Sequence, residues 1–176
     1  MEWLLICYQV PSQPSALRVA TWRALKKSGA VLLGPGSYAL PDIPTHRTAL
    51  EQLAERITNG GGSAITFKAA AMTAEDARAI ELKAETARRE EYLQVIKSAR
   101  KFCAHVDQED RDHDYRFAEV ESLEEELNKV RRQLARVRER DARSVSIAQE
   151  AAEAVAAAEV RLQQYLDHAY QEENQE

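Results

Sequence analysis

The chain changes hydrophobic period several times before position 72 and settles into helical periodicity after it. Trp3 to Tyr8 is a short apolar run bounded by Pro11 and Pro14. It is too short for a helix and suits a strand covered on both faces. Ser12 or Ser15 can cap a helix running to Lys27, with Gly29 as its stop. Leu17, Thr21, Ala24 and Ser28 lie on one line of that helix. Its buried stripe is expected to include Trp22 and Leu25, with Arg18 beside them and Arg23, Lys26 and Lys27 outward. Ala30 to Leu33 and Ser37 to Leu40 read as a hairpin about Gly34-Pro35-Gly36. Pro44 to Ile57 reads as a second helix with Leu50, Leu53, Ala54 and Ile57 inward, ended by Asn59 to Gly62. "SAITFKA", residues 63 to 69, alternates as a half-buried strand does. The order β-α-β-β-α-β is that of the ferredoxin-like split βαβ unit. Its helices would cover one sheet face, leaving the other for solvent, a second subunit or the helices that follow.

From residue 73 the pattern is helical throughout. Thr73 with Asp76 is a capping-box variant. The first stripe runs through Ala77, Ile80, Ala84, Ala87, Tyr92, Val95, Ile96, Ala99, Phe102 and Cys103 and is expected to stop near Asp107. "DQEDRDHDYR" reads as a charged loop. Val120, Leu123, Leu127, Val130, Leu134 and Val137 then alternate spacings of three and four, a heptad seam. A break is expected at Asp141 to Ser146. A last, alanine-rich helix carries Ala148, Ala151, Val155, Ala158, Leu162, Leu166 and Ala169, with Ala152 and Tyr165 beside the seam. These faces need partners, either within one chain as an antiparallel, coiled-coil-like three-helix extension or between chains. The expected organisation is α+β: a ferredoxin-like domain over 1–72 and a helical domain over 73–176.

Charge sharpens this division. The net charge is −5. Residues 1–72 hold seven Lys/Arg against four Asp/Glu, and the rest hold seventeen against twenty-five. All six Gly and all five Pro precede residue 63. A mildly basic first part hints at nucleic-acid contact there. The two cysteines, Cys7 and Cys103, read as small buried hydrophobes rather than a disulfide framework or a zinc site. No basic region leads into a long apolar stretch with a cleavage site, and no run approaches a membrane span, so a cytoplasmic protein is expected.

Catalytic chemistry finds little to use. A nuclease metal needs carboxylate ligands. The strand-end position holds neutral Gln9, and no acid lies between Glu2 and Asp42. Asp42 alone makes a poor Mg²⁺ site. His113 sits among carboxylates but in no named ion-binding loop, and the plainer reading is a solvated loop. His46, His105 and His168 stand apart in sequence and are assigned no role. No Ser or Cys occupies a Gly-flanked elbow. "GPG" and "NGGG" lack the spacing and lysine of a P-loop and read as turns. No catalytic residue, metal ligand or cofactor is assigned.

Two basic sets remain. Arg18, Arg23, Lys26 and Lys27 lie on or beside one helix face. Arg131, Arg132, Arg136, Arg138 and Arg140 crowd another. Either can neutralise phosphate or an oxyanion. The plainer alternative is a solvated face with i,i+4 pairs, favoured for the second set by Glu124 to Glu126 and Glu139. No stacking pair of the RNA-recognition type stands on the strands.

"VPSQPSALRVATWRALKKSGAVLLGPGSYALP", with the strand ahead of it, resembles the N-terminal domain of the ChrB chromate-resistance regulator family. The shared features are the Val-Pro hook, Arg18, the Trp22-Arg23-Ala24-Leu25 run, Gly29 and the Tyr38 strand ending in Leu-Pro. The resemblance continues through "ARREEY" at 87–92, "YRFAEVESLEEELNKVRRQLARVRERD" at 115–141 and the last helix. More distantly, residues 3–41 are similar to the ferredoxin-like domains of CRISPR spacer-acquisition proteins and PaaX-type repressors, where the strand-end aspartate occurs. The ChrB resemblance implies a cytoplasmic, DNA-associated transcription regulator of the chromate response. Because that family commonly continues into a second domain, a separate ChrB C-terminal-type protein is an expected partner, beside DNA and a second copy of the chain.

The leading expectation is therefore a non-enzymatic regulatory module. It would contact DNA phosphate or a chromate-like oxyanion through Arg18, Arg23, Lys26 and Lys27, with Arg131, Arg132, Arg138 and Arg140 as a second set. A protein-interaction or oligomerisation module using the sheet edge or the helical seam is the alternative, and a weak metal nuclease through Asp42 a third.

Overall fold

A computed structural model describes residues 2–13, 15–141 and 145–174. The elements of the first part are β1 (Trp3–Gln9), α1 (Ser15–Ser28), β2 (Val31–Gly34), β3 (Ser37–Pro41), α2 (Pro44–Asn59) and β4 (Ser63–Ala69). The helices α3 (Ala74–Arg111), α4 (Phe117–Glu139) and α5 (Ile147–Glu173) follow. The chain is α+β and divides into two compact units, Met1–Ala87 and Arg88–Glu176, the division falling inside α3.

In the first unit the strands form one four-stranded sheet in the order β2-β3-β1-β4. Central β1 pairs antiparallel with β3 and with β4, and β2 pairs antiparallel with β3. Leu4, Ile6, Tyr38 and Leu40 join Leu25 of α1 and Leu50, Leu53 and Ile57 of α2 in one core. Helix α1 ends as the sequence predicts. Ala30 N–H donates to Leu25 C=O at 3.0 Å and Gly29 N–H to Lys26 C=O at 3.1 Å, with Gly29 at φ 74°. This is a Schellman cap, and glycine takes the left-handed position without a Cβ clash. Gly36 is equally constrained. Its φ is 68°, and a Cβ there would lie 2.5 Å from the Tyr8 carbonyl oxygen.

The register corrects the reading of β4. Residues directly opposite in a ladder share a face. Core-facing Leu4 and Ile6 stand opposite Lys68 and Thr66, and so Ile65 and Phe67 point to the other face. They are 60% and 47% exposed. Cys7, opposite Ile65, is exposed rather than buried. Trp3, Val31 and Ala39, also on that second face by register, are buried. Trp22 is a second correction, since it lies 50% exposed outside the core.

The second unit buries one apolar cluster. Tyr92, Val95, Ile96, Ala99, Phe102 and Val106 of α3 meet the α4 seam Leu123, Leu127, Val130, Leu134 and Val137. Ala151, Val155, Ala158, Leu162 and Tyr165 of α5 complete it. The alanines let α5 approach closely. The break expected at 141–146 includes residues 142–144, which lie outside the described residues.

Helix α3 runs past its expected end at Asp107 to Arg111, so the first half of "DQEDRDHDYR" is helix rather than loop. Charge pairing explains the extension. Arg161 of α5 donates from Nε to Asp107 at 2.5 Å and from Nη2 to Asp110 at 2.7 Å. Asp110 also bonds the His168 imidazole at 2.9 Å and accepts from the Tyr115 hydroxyl at 2.9 Å. Thr73 begins α3 as a capping residue, accepting from Asp76 N–H at 3.0 Å.

Desolvation opposes ionisation of Asp110, but the bonds from His168, Arg161 and Tyr115 outweigh it and hold its pKa down at about 2. A depressed carboxyl contributes stability that is complete above its unfolded value near 4 and lost as pH falls through the folded value. Urea denaturation of the full chain at pH 7, 4 and 2.5 should therefore show a steep loss below pH 4. Asp110→Asn is expected to be less stable than wild type at pH 7 and to flatten that acid limb. Parallel curves for the two proteins would contradict the assignment.

Candidate nucleic-acid interface

Helix α1 starts at Ser15 without an acidic residue in its first turn and ends with Lys26 and Lys27 in its last. Its buried side chains are Thr21 and Leu25. At 100° per residue these two set the inward direction, Arg23 lies opposite it with Val19 and Lys26 beside it, and Trp22 lies at the flank between Arg18 and Lys26. All five are exposed, including Arg18, which stands next to the buried stripe. Arg18, Arg23 and Lys26 have no ion-pair partner among the described residues. Lys27 is exposed near the same helix end. The four cations of the first set are all exposed but spread around the helix, with Arg18 and Lys27 on opposite sides, and Trp22, expected in the core, is half-exposed between Arg18 and Lys26. The missed signal is local. Trp22 lies at i+3 from Val19 and i−4 from Lys26, beside the stripe of Thr21 and Leu25 rather than on it.

The second set is not one face. Arg131 donates from Nε to Glu159 of α5 at 2.6 Å and from Nη1 to Asn128 at 3.2 Å. Arg140 is largely buried and donates to Glu91 of α3 at 2.9 Å. Arg88 donates to the same carboxylate at 2.5 Å. Burial lowers the Arg140 pKa, against the pull of Glu91. Neighbouring Asp141 accepts from the Tyr92 hydroxyl at 3.1 Å. Burial, with the Asp141 charge, pushes that phenol up to about 12. Arg131 and Arg140 therefore join helices. Arg132, Arg136 and Arg138 stay exposed and carry no ion pair among the described residues.

Gln9 and Asp42 do not share a site, since Asp42 N–H donates to Glu2 C=O at the opposite end of β1 from Gln9. Gln9 is exposed and pairs in register with Ser63. Asp42 is only 4% exposed, and Arg47 takes both its oxygens at 2.5 and 2.9 Å, with Lys68 at 3.2 Å. The Arg47 hydrogen bond, outweighing desolvation and helped by Lys68, holds the Asp42 pKa below the usual carboxylate range. A carboxylate so engaged has most of its acceptor capacity taken by cationic side chains. The histidines are not isolated. His46 is buried with Nδ1 2.9 Å from the Pro41 carbonyl oxygen, and His113 lies 2.8 Å from Glu172. Tyr8 and Tyr38 stack at 6.2 Å as part of the helix-side core.

The model of the family "Protein ChrB, N-terminal" matches residues 18–176. The chain belongs to the ChrB N-terminal family. The match includes α1 from Arg18 onward and every helix after it. Protein ChrB of Cupriavidus metallidurans is 32% identical over 92 residues, 52% of this chain. The aligned segment spans 28% of that relative's length. No solved structure matches the chain. Among the described residues, no helix is long and apolar enough to cross a membrane.

Two tryptophans in opposite environments make the α1 geometry measurable. Trp3 is buried and Trp22 half-exposed. Acrylamide should quench one emission component strongly, and Trp22→Phe should remove that component. The same substitution should change stability by no more than about 0.5 kcal/mol, as expected at a surface position. Leu25→Ala should cost about 2–5 kcal/mol in denaturant unfolding, as a buried truncation does. A protected Trp22 would reverse the helix orientation.

Proposed function

We propose that the chain is the N-terminal module of a chromate-responsive transcription regulator that contacts DNA phosphate through α1. In this reading a ferredoxin-like split βαβ unit presents α1, and a three-helix, coiled-coil-like extension follows it. The module itself is non-enzymatic. The element order with the antiparallel sheet order β2-β3-β1-β4 supports the ferredoxin-like assignment. Membership of the ChrB N-terminal family supports the regulatory role.

The observation that carries phosphate contact is the outward face of α1. Three cations without ion-pair partners among the described residues surround an exposed indole. Cations that spend nothing on internal pairs keep their full attraction for phosphate. An exposed aromatic beside them adds a stacking or wedging surface. Arg132, Arg136 and Arg138 offer a second set. Arg131 and Arg140 are less suited, being engaged with Glu159 and Glu91.

Each phosphate contact to duplex DNA lowers the slope of log K against log salt by about 0.9. Anisotropy of a labelled duplex from low to high salt should therefore give a clearly negative slope. Arg23→Ala with Lys26→Ala should make it shallower by about two contacts' worth. Trp22→Ala should weaken binding and leave the slope unchanged, because an indole releases no counterion. A flat salt response in the wild type sinks the reading. Chromate that displaces DNA more strongly than sulfate at equal ionic strength would point to an oxyanion as the ligand of the same face.

The second reading is self-association without nucleic-acid binding. Edge strand β4 carries exposed Ile65 and Phe67. An open, apolar edge is a template for another strand. Light scattering separates the readings: a salt-insensitive dimer with no affinity for DNA supports the second.

A further inference from the structure

The second unit holds a cluster of chemistry-bearing side chains that phosphate contact leaves unexplained. His105 and Glu109 stand one turn apart on α3, and Glu119 and Glu126 stand two turns apart on α4. The helix pair brings all four together. His105 Nδ1 lies 2.8 Å from a Glu126 oxygen, a true hydrogen-bond distance. On the other side of the ring, Nε2 lies 3.5 Å from Glu109 and 3.8 Å from Glu119. One ligand atom from each of His105, Glu109 and Glu119 falls within 4.8 Å of the others.

The two sides of the imidazole differ in kind. The Nδ1 contact is short enough for direct bonding. The Nε2 contacts are longer than a good N–H···O bond, which falls at about 2.7–3.2 Å. The Glu109 contact has the spacing of atoms that share a cation, and the Glu119 contact is a few tenths of an ångström longer. Ligands about 2.0–2.2 Å from a tetrahedral Zn²⁺ stand about 3.3–3.6 Å from one another. A metal-bound histidine also characteristically donates its other ring N–H to a carboxylate, which fixes the tautomer and aims the lone pair. Glu126 occupies that position.

Burial strengthens the case. The Glu109, Glu119 and Glu126 side chains are all partly withdrawn from water. Three carboxylates around one imidazole leave an excess of negative charge there. Arg116 is close enough to sense Glu119 and Glu109, but its guanidinium is held by Asp114. One imidazole with two carboxylates suits a divalent first-row transition metal better than Mg²⁺, which prefers an all-oxygen shell.

We propose that His105, Glu109 and Glu119 form a site for a divalent transition-metal cation of the Zn²⁺ class, with Glu126 orienting the His105 ring. The three ligands come from α3 and α4, so the ion would tie the C-terminal turns of α3 to the start of α4. The site is independent of α1 and of phosphate contact.

The test uses the full chain, free of any histidine tag, stripped with chelator and desalted. Titration with ZnCl₂ in a calorimeter should give one ion per chain, and Zn²⁺ should raise the melting temperature of the wild type. Co²⁺ should give the visible absorption of a low-coordinate site. Glu109→Gln and Glu119→Gln should each weaken binding at least tenfold, and together abolish it. Glu126→Gln should weaken it about 10–100-fold while keeping one ion per chain, as loss of an orienting carboxylate does. His113→Gln, which disturbs a histidine–carboxylate pair without a third ligand, should leave affinity unchanged. No stoichiometric uptake of Zn²⁺ or Co²⁺ by the wild type overturns the proposal. Wild-type affinity in the folded Glu109→Gln/Glu119→Gln protein, checked by circular dichroism, overturns it equally.

Discussion

The apolar stripe of each helix must leave water, at a gain of about 25 cal/mol per Å² of apolar surface, and the remaining side chains are placed by that requirement. In α1 the inward pair is Thr21 and Leu25. Once they are turned inward, Arg23 and Lys26 are carried to the far side, and Trp22 is left at the flank, half-exposed. In the second unit the seam from Leu123 to Val137 is turned toward the apolar faces of α3 and α5. The polar residues just beside these stripes then meet one another along the rim. Arg161 reaches Asp107 and Asp110, Arg131 reaches Glu159, and His105 reaches Glu126.

This sorting separates arginines that look equivalent in sequence. Arg140 lies close to the α3 side of the core and is drawn into a pair with Glu91 that also involves Arg88. A charge withdrawn from water needs such a partner, and it is then a poor candidate for an external phosphate. Arg23 and Lys26 lie opposite a buried stripe and keep their charge for solvent. In the "RERD" run at 138–141, Arg140 and Asp141 are accordingly engaged within the unit, while Arg138 and Glu139 are exposed.

Much of the fold was legible because its signals are local. The Gly29 stop, the Thr73 cap, the heptad spacing of α4 and the alanine line of α5 each act within a few residues of chain. The errors also have a common cause. The alternation of β4 suggests a half-buried strand, yet alternation does not say which face is inward. The pairing of Leu4 with Lys68 says so. Asp107 was taken as a helix end because charged residues gather there. The helix continues because Arg161, fifty-four residues on, supplies the counter-charge.

By itself, the sequence determined the α+β class, the element order, the Gly29 stop of α1 and the Thr73 cap of α3. It also carried the family membership. These follow from residue type and short-range spacing, which do not depend on how elements dock. Tertiary structure alone decided that Trp22 is exposed, that Ile65 and Phe67 face away from the helices, and that Arg140 is engaged with Glu91. It alone brought His105 and Glu109 of one helix to Glu119 and Glu126 of another. Such cross-element neighbours depend on register and helix rotation, which are fixed by the summed burial of many side chains and leave no mark in local periodicity.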